Sequence, residues 1–309
     1  MSYAPYSTAT KRVNEFLTLL ADLGIDMKAG LPTDDALAMQ QVFDYWQSGA
    51  GATLPDPRPL LRDAAGFVDM ASRVLNARNH RDFEQLRPHL QKVGATSILQ
   101  NRRSSITDAD ANKVVELYLA CVAMRFAANI ALDHPDHSRG DNPDVMLDYR
   151  GKRWALAIKT VHTTNSRTIF ENIVKASDQI EASAANHGLV VISLKNPMSD
   201  HLDALWPLGS PPKPEAVVMN EIKHLVDAII GPVSAMPDEE WNEILGNNRK
   251  AVAPVLFMAQ ATVYALPTGN LQAHPTLIKM LRTARDPQID PAGAVKLAWE
   301  LSHHMQGLL

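Results

Sequence analysis

The segment from residue 144 to residue 159 limits the folds open to this chain more than any other part of the sequence. It consists of an alternating run, Asp144 to Tyr149, a turn at Arg150-Gly151-Lys152, and an apolar run, Trp154 to Ile158, that ends in Lys159. Two such runs on either side of a glycine-containing turn are typical of a β-hairpin. We therefore predict a hairpin here and a sheet to which it belongs.

Two charged residues and one alanine of this hairpin are expected to lie close together. Side chains two residues apart on a strand point to the same face, so Ala157 and Lys159 share one face of the second strand. Asp144, on the first strand, can face the same side. A divalent cation and a phosphate group can both be held at such an edge, because it presents a carboxylate beside an ammonium group.

Helices are predicted on both sides of the hairpin. A long helix, capped at residue 107 or 108, is predicted to reach about Leu132 and carries Glu116 at the border of its apolar face. A carboxylate in that position either points at a site across the sheet or is an ordinary boundary residue. After the hairpin, the pattern predicts a helix over residues 166–181 and an apolar strand over residues 188–194.

This arrangement resembles the PD-(D/E)xK nuclease superfamily, which includes restriction endonucleases and related DNA-processing enzymes. The matching residues are Pro143, Asp144 and Lys159, and Ala157 stands where the superfamily has its second acid. The order of helix, hairpin, lysine, helix and strand also matches, over about residues 106–200. This order makes the resemblance more specific than the short motif alone.

The resemblance implies a restriction-endonuclease-like α/β fold, with a central mixed sheet flanked by helices, and hydrolysis of DNA that depends on Mg²⁺ or Mn²⁺. Asp144 is then the anchoring metal ligand and Glu116 the second acid at the metal. Lys159 is the cation that holds the attacking water or the charge that develops on the phosphate. Gln179 and Lys175, on the following helix, are polar supports at the edge of the cleft. Many members of the superfamily act as dimers, which implies a homodimer.

The alanine at position 157 leaves three interpretations open. In the first, the second acid has moved to the following helix, where Glu171 is the obvious candidate, although about 100° per residue places it opposite the apolar stripe of that helix. In the second, Asp144, Glu116 and backbone carbonyls form a weaker site that DNA completes with its phosphate oxygens. In the third, the fold has lost its chemistry and binds DNA or protein without cutting.

Positive charge for DNA binding is expected to be local, because the net charge of the chain is −4. Arg150, Lys152 and Arg153 are concentrated at the hairpin turn, which we expect beside the site, and they are candidates to contact DNA. The alternative is that these charges keep an edge of the sheet soluble.

The chain is predicted to contain two parts. Residues 1–105 show helical periodicity and are interpreted as a helical N-terminal region, and residues 106–309 as the α/β domain. A hydrophobic content of 46% in 309 residues is ample for a packed core. The longest apolar run, residues 252–266, is shorter than a membrane span, and the N-terminus has no signal-peptide pattern. We therefore expect a cytoplasmic protein without a membrane segment.

Two functions of other classes compete with a nuclease. One is a DNA-binding or protein-interaction module on the same fold, without catalysis. The other is an unrelated α/β protein in which Pro143-Asp144 and Ile158-Lys159 match the motif by coincidence, and where the lysine only makes a strand end soluble. This last interpretation requires that Asp144 and Lys159 lie far apart in the structure.

Overall fold

The computed structural model describes residues 6–47, 56–136, 142–246, 248–267 and 272–307. Within these residues, helices come first and a mixed seven-stranded sheet packed with helices follows. The predicted α/β class is therefore confirmed.

The helices are, in chain order, α1 (Tyr6–Asp22), α2 (Leu31–Gln47), α3 (Arg58–Ala77), α4 (Arg87–Val93), α5 (Ala109–Ala123), α6 (Ser166–Ala182), α7 (Lys195–Ser199), α8 (Leu202–Leu205), α9 (Glu215–Ser234), α10 (Asp238–Leu245) and α11 (Ala294–Gln306). The strands are β1 (Ala128–Leu132), β2 (Val145–Tyr149), β3 (Lys152–Thr160), β4 (His187–Ser193), β5 (Lys213–Pro214), β6 (Val255–Leu266) and β7 (His274–Ala284).

The sheet combines antiparallel and parallel neighbours. Its strands lie in the order β1-β2-β3-β4-β6-β5, and β7 pairs with β6. β1, β2 and β3 are antiparallel to their neighbours in this group, whereas β3, β4, β6 and β5 are parallel. A parallel pair requires a crossover, and α6 supplies it between β3 and β4. The carboxyl ends of β3 and β4 therefore meet at one edge of the sheet.

The predicted hairpin is present as β2 and β3. Its two central turn residues, Arg150 and Gly151, have φ angles of 51° and 75°. Positive φ at both positions is the signature of a type I′ turn, whose twist matches that of the flanking strands. The turn fixes the register, in which Val145 pairs with Leu156 and Tyr149 with Lys152.

β3 separates the two halves of the core. Trp154 and Leu156 face one hydrophobic cluster, which also contains the buried residues of α1, α3, α5 and α11. Ala155 and Ala157 face a second cluster, formed with α6, α9 and α10. The alternation is the period-two pattern of a strand that is buried on both faces.

Of the first three helices, α3 packs directly on the sheet, and α1 and α2 pack against α3. α1 buries a stripe at helical spacing, with Val13, Phe16 and Leu20 all less than 5% exposed. α3 contacts α5, β6 and β7. The predicted helical character of this region is confirmed, and the division at residue 105 stays a prediction, since one hydrophobic cluster extends across it.

A buried cluster of charges joins α3 to the sheet. The carboxylate of Asp69 accepts hydrogen bonds from Lys279 on β7 at 2.9 Å, from Tyr118 on α5 at 2.9 Å and from Arg73 at 3.2 Å. Although burial opposes its ionisation, the positive charges of Lys279 and Arg73 hold the pKa of Asp69 below its usual value. Arg73 also donates to the backbone oxygens of His304 and Met305 in α11.

One predicted element is wrong, and others are confirmed. The helix predicted to reach Leu132 ends at Ala123, and Ala128–Leu132 forms β1 instead. The helix predicted over residues 166–181 and the strand predicted over residues 188–194 are confirmed as α6 and β4. In the described part of the chain, no helix is long and apolar enough to cross a membrane.

Replacing Asp69 with alanine should destabilise the protein strongly. The variant leaves Lys279 and Arg73 buried without an anion, so we expect the free energy of unfolding to fall by about 3–5 kcal/mol. Asp227→Ala is the matched control, because it removes a carboxylate from a partly exposed ion pair with Arg282 and should cost about 1 kcal/mol or less. Urea unfolding followed by circular dichroism measures both losses. A loss for Asp69→Ala no larger than that for Asp227→Ala would contradict this account.

Candidate active site

Asp144 is held at the open end of the hairpin, immediately before β2. Its backbone nitrogen donates to the oxygen of Leu156 at 3.1 Å, next to the first pair of the ladder, Val145 and Leu156. Its carboxylate Oδ2 accepts a hydrogen bond from the backbone nitrogen of Ile158 at 2.5 Å. The side chain is 6% exposed. The strand pairing therefore fixes both the position and the orientation of this acid.

Lys159 lies near the end of β3 and points toward α6. Its Nζ donates to Oε1 of Gln179 at 2.5 Å. Ala157, two residues earlier, belongs to the hydrophobic cluster on the same side of the sheet. The prediction that Ala157 and Lys159 share a face is confirmed, and Gln179 contacts the lysine as expected for a polar support.

Glu116 of α5 is 3% exposed and has two basic partners. Lys113, one helical turn earlier, places its Nζ 2.9 Å from Oε1 and 3.1 Å from Oε2. Nε2 of His89, on α4, lies 3.0 Å from Oε2. These contacts fix the carboxylate in place, so Glu116 is an interior residue of the site and not an ordinary boundary residue.

Glu116 and Asp144 form a close pair of buried acids. Burial and the negative charge of Glu116 raise the pKa of Asp144 to about 7, against the opposing charge of Lys159. Burial likewise raises the pKa of Glu116 to about 7, and Asp144 is near enough to share a hydrogen bond with it. Two carboxylates in one buried site resist simultaneous ionisation. The pair therefore tends to retain a proton near neutral pH unless more positive charge arrives.

The positive charge of Lys159 is itself weakened by its surroundings. Burial lowers the pKa of its ammonium group, while the charges of Asp144 and Glu116 act in the opposite direction. These electrostatic couplings show that the lysine and both acids occupy one site, although they come from separate elements. The expectation that goes with a coincidental match, that Asp144 and Lys159 lie far apart, is therefore wrong, while the resemblance itself stays a prediction.

His89 is a site residue that the sequence did not reveal. It is 1% exposed, and burial lowers the pKa of its imidazole to about 3, so the ring is neutral. Its Nδ1 is buried and has no hydrogen-bond partner within the described residues. Nothing in the sequence near His89 marks it, since its contact with Glu116 spans 27 positions. Lys113, in contrast, lies three residues from Glu116, a spacing that a search for helical ion pairs can find.

The first interpretation of position 157, in which Glu171 replaces the missing acid, is wrong. The Glu171 side chain is 56% exposed and pairs with Arg167 at 3.7 Å. Asn172, the next residue of α6, donates to the backbone oxygen of Thr168 at 2.8 Å. Ala157 is fully buried and supplies no ligand. The acids in place are thus Glu116 and Asp144.

Lys175 is less closely associated with the site than predicted. It is exposed on α6, and its effect is a repulsion that helps to lower the pKa of Lys159. Gln179, one turn later, is 5% exposed and contacts Lys159 directly. Of the two predicted supports, Gln179 lies inside the site and Lys175 at its rim.

The predicted position of Arg150, Lys152 and Arg153 beside the site is wrong. They lie at the turn, whereas Asp144 lies at the open end of the hairpin. The separation is about 20 Å, because Arg150 is six residues from Asp144 and a strand rises about 3.3 Å per residue.

All three basic residues also have local partners, and the guanidinium of Arg150 lies over the ring of Tyr149, 5.7 Å from its centroid. Lys152 donates to the backbone oxygen of Ala292 at 3.0 Å, and Arg153 donates to Asp148 at 2.9 Å. That these three basic residues contact DNA stays a prediction. DNA bound at the turn would not by that contact lie at Glu116 and Asp144.

The donor set fits a hard divalent cation held in part by other oxygens. Mg²⁺ is usually bound by one or two carboxylates, with water and phosphate oxygens completing the coordination. Glu116 and Asp144 supply two carboxylates, and their raised pKa values mark a place where added positive charge is favoured. Among the described residues, no group of three or more histidine, cysteine, aspartate or glutamate side chains is arranged to hold a metal ion. These residues therefore do not supply a complete set of protein ligands for a metal ion.

No family model, no curated protein and no solved structure matches this chain.

Neutralising one acid of the pair should stabilise the protein at alkaline pH. A raised carboxyl pKa means that the folded chain keeps a proton that the unfolded chain, with a pKa near 4, releases, so stability falls as the pH rises from about 4 to about 7. We expect Asp144→Asn, which keeps an oxygen for the Ile158 hydrogen bond, to raise the free energy of unfolding at pH 8 by on the order of 2 kcal/mol.

Urea unfolding at about pH 5 and about pH 8 measures this effect, with the gain confined to the higher pH. Glu171→Gln is the control, because it neutralises an exposed acid and should change little at either pH. A lower stability of Asp144→Asn than of the unmodified protein at pH 8 would contradict the pairing of the two acids.

Proposed function

We propose that this chain is a cytoplasmic, Mg²⁺-dependent DNA nuclease of the PD-(D/E)xK type, with a site reduced to two acids. The observation that carries the proposal is the convergence of Glu116, Asp144, Lys159 and Gln179 from α5, the start of β2, β3 and α6. Acidic and basic side chains of the types that phosphodiester hydrolysis needs thus meet in one buried place, at the positions that the resemblance assigns.

The order of elements supports the same fold assignment. α5 is followed by three antiparallel strands, β1 to β3, and then by α6 and the parallel strand β4. This agrees with the helix, hairpin, helix and strand on which the resemblance rests, with β1 added. We propose on this basis that residues 106–309 form a restriction-endonuclease-like domain.

The two acids are the residues that would hold Mg²⁺. When bound, the ion supplies Lewis acidity for the phosphate and lowers the pKa of a bound water molecule. Glu116 is kept in position by Lys113 and His89, and Asp144 by the backbone of Ile158. Both carboxylates are therefore oriented before any ligand arrives, which lowers the cost of organising the site.

Lys159 is the residue that stabilises charge on the phosphate. Gln179 accepts a hydrogen bond from its Nζ and restricts its direction. An oriented cation in a buried site stabilises developing negative charge far better than one in water. Gln179 is accordingly a positioning residue that acts through Lys159.

The raised pKa values predict how the site responds to pH. Cation binding requires deprotonated carboxylates, so it competes with the proton that the Glu116–Asp144 pair retains. Cleavage at a limiting Mg²⁺ concentration should therefore increase as the pH rises through about 7.

One observation favours a second candidate, a nucleic-acid-binding or protein-binding module without catalysis. The two acids already have two ammonium groups, those of Lys113 and Lys159, in electrostatic contact with them. Two ionised carboxylates and two ammonium groups have a net charge of zero without a metal ion. A module of this kind would bind DNA but leave its phosphodiester bonds intact.

Cleavage of plasmid DNA in the presence of Mg²⁺ or Mn²⁺ tests the proposal. We expect Asp144→Asn and Lys159→Ala each to lower the cleavage rate by about 10²-fold or more, because each removes a group that stabilises the reacting phosphate or its metal. Glu171→Gln removes an exposed acid of α6 and should cut as the unmodified protein does. Circular dichroism checks that all variants fold. DNA binding without cutting by the unmodified protein would support the module, and equal cleavage by all the variants would exclude these residues from the reaction.

Restoring an acid at position 157 should strengthen the site. Ala157 lies between Leu156, which accepts from the backbone of Asp144, and Ile158, which donates to its carboxylate, so we expect a glutamate there to direct its carboxylate to the same ion. We expect Ala157→Glu to lower the Mg²⁺ concentration needed for half-maximal cleavage by about tenfold or more, a change of about 1.4 kcal/mol in binding.

Because position 157 is fully buried, the shorter Ala157→Asp is tested in parallel, and thermal unfolding identifies a variant that fails to fold. Ala157→Gln is the control, since it adds similar volume without charge. A folded Ala157→Glu that needs as much Mg²⁺ as Ala157→Gln would show that position 157 does not face the metal.

A further inference from the structure

The hairpin turn and α11 form an exposed surface that the candidate active site does not use. We call it the turn–helix surface and define it by the residues Arg125, Arg150, Lys296, Trp299 and His303. Trp299 is 52% exposed, although tryptophan is among the most hydrophobic side chains. Arg125, Arg150, Lys296 and His303 are also exposed.

The aromatic rings of this surface are ordered by mutual packing. Trp299 and His303 stack with ring centroids 4.9 Å apart and an interplanar angle of 6°. His303 meets His304 edge to face at 5.1 Å, and His304 stacks on Phe126 at 5.3 Å. Nζ of Lys296 lies 4.2 Å from the centroid of the Trp299 ring. A partly exposed tryptophan is thus held in a fixed array with a cation beside it.

Two contacts fix the turn against α11. Lys152 donates to the backbone oxygens of Pro291 at 3.3 Å and of Ala292 at 3.0 Å, just before the helix begins. Tyr149, beside the turn, donates to Glu300 at 3.5 Å. The position of Arg150 relative to α11 is therefore defined by the fold.

Positive charge predominates on this surface. Arg125 follows the end of α5, Arg150 lies in the β2–β3 turn, and Lys296 belongs to α11. Glu300 is the nearby acid, and it contacts Lys296 at 4.0 Å and His304 at 3.5 Å, with its side chain only 18% exposed. Such a combination of cations and an exposed ring suits a polyanion that carries flat rings of its own.

We propose that the turn–helix surface binds single-stranded nucleic acid. A base stacks on the Trp299–His303 rings, and Arg150, Arg125 and Lys296 bind the neighbouring phosphates. Stacking of this kind needs unpaired bases, which a duplex does not offer. A hydrophobic protein partner is disfavoured, because three cations border the rings and would have to be desolvated.

The surface and the candidate active site lie at opposite ends of the same hairpin. Their separation of about 20 Å corresponds to about six nucleotides at about 3.4 Å per nucleotide of a strand. One nucleic-acid strand can therefore occupy both places. The inference rests on the proposed function only for this connection, since binding at the surface requires neither metal nor cleavage.

Two variants separate stacking from charge. Trp299→Leu keeps apolar volume but removes the ring, and we expect it to weaken binding about tenfold, since stacking contributes about 1–3 kcal/mol per base. Trp299→Phe should recover much of this loss. Arg150→Asn removes a cation but creates an Asn-Gly pair, the pair that type I′ turns prefer, so the hairpin is preserved. It should reduce the slope of log Kd against log salt by about 0.7.

The measurement is fluorescence anisotropy of a labelled oligothymidylate of about 16 nucleotides, in a chelator that prevents cleavage. A second oligomer of equal length without bases should bind the unmodified protein more weakly, and Trp299→Leu should remove this difference. Lys223→Asn, which removes an exposed cation on α9, should leave Kd unchanged. The chelator keeps the test separate from the nuclease proposal, because binding is then measured without metal or cleavage.

Unchanged Kd for both Trp299→Leu and Arg150→Asn would overturn the proposal. Equal binding of the two oligomers by the unmodified protein would do the same, because stacking would then contribute nothing. Analytical ultracentrifugation measures whether the protein self-associates. Self-association that Trp299→Leu abolishes, with no effect on oligonucleotide binding, would assign the surface to a second copy of this chain and would also overturn the proposal.

Discussion

The buried pair formed by Glu116 and Asp144 is the constraint on which the rest of the site depends. Each carboxylate is less than 7% exposed, and burial raises the pKa of both, with the negative charge of Glu116 adding to the effect at Asp144. The fold holds them together by surrounding them with Lys113, Lys159 and the neutral ring of His89. Such a pair stores unfavourable electrostatic energy, which a divalent cation would relieve. Ionisation of the pair is expected to lower stability as the pH rises to neutral and, by the same loss of a proton, to favour binding of a cation.

The helical N-terminal region is part of this arrangement and not only a neighbour of it. α4 contributes His89, which contacts Glu116, and α3 joins β7 through the buried Asp69–Lys279 ion pair. Both contacts link the first hundred residues to the sheet through groups that are costly to leave unpaired. The site thus requires helices from one side and strands from the other, and its geometry depends on how they pack.

Local periodicity predicted the hairpin, α6 and the shared face of Ala157 and Lys159, because strand and helix geometry fix those relations within a few residues. β1 was missed because the chain stays apolar after Ala123 and Met124 caps α5 without a glycine or proline to mark its end. His89 was missed because its contact is non-local. The misplaced basic turn was an error of inference, since an antiparallel hairpin always places its turn at the end opposite its termini.

The hairpin thus presents two chemically different ends, with acids and Lys159 at one and cations with stacked rings at the other. At the first end, we expect Glu116 and Asp144 to hold a divalent cation. A crystal soaked in Mn²⁺ at about pH 8 and measured for anomalous scattering tests it most directly, because it locates an ion without relying on activity. We expect one peak within about 2.5 Å of oxygens from both carboxylates. A map without a peak between the two acids, or with a peak bound only elsewhere, would contradict it.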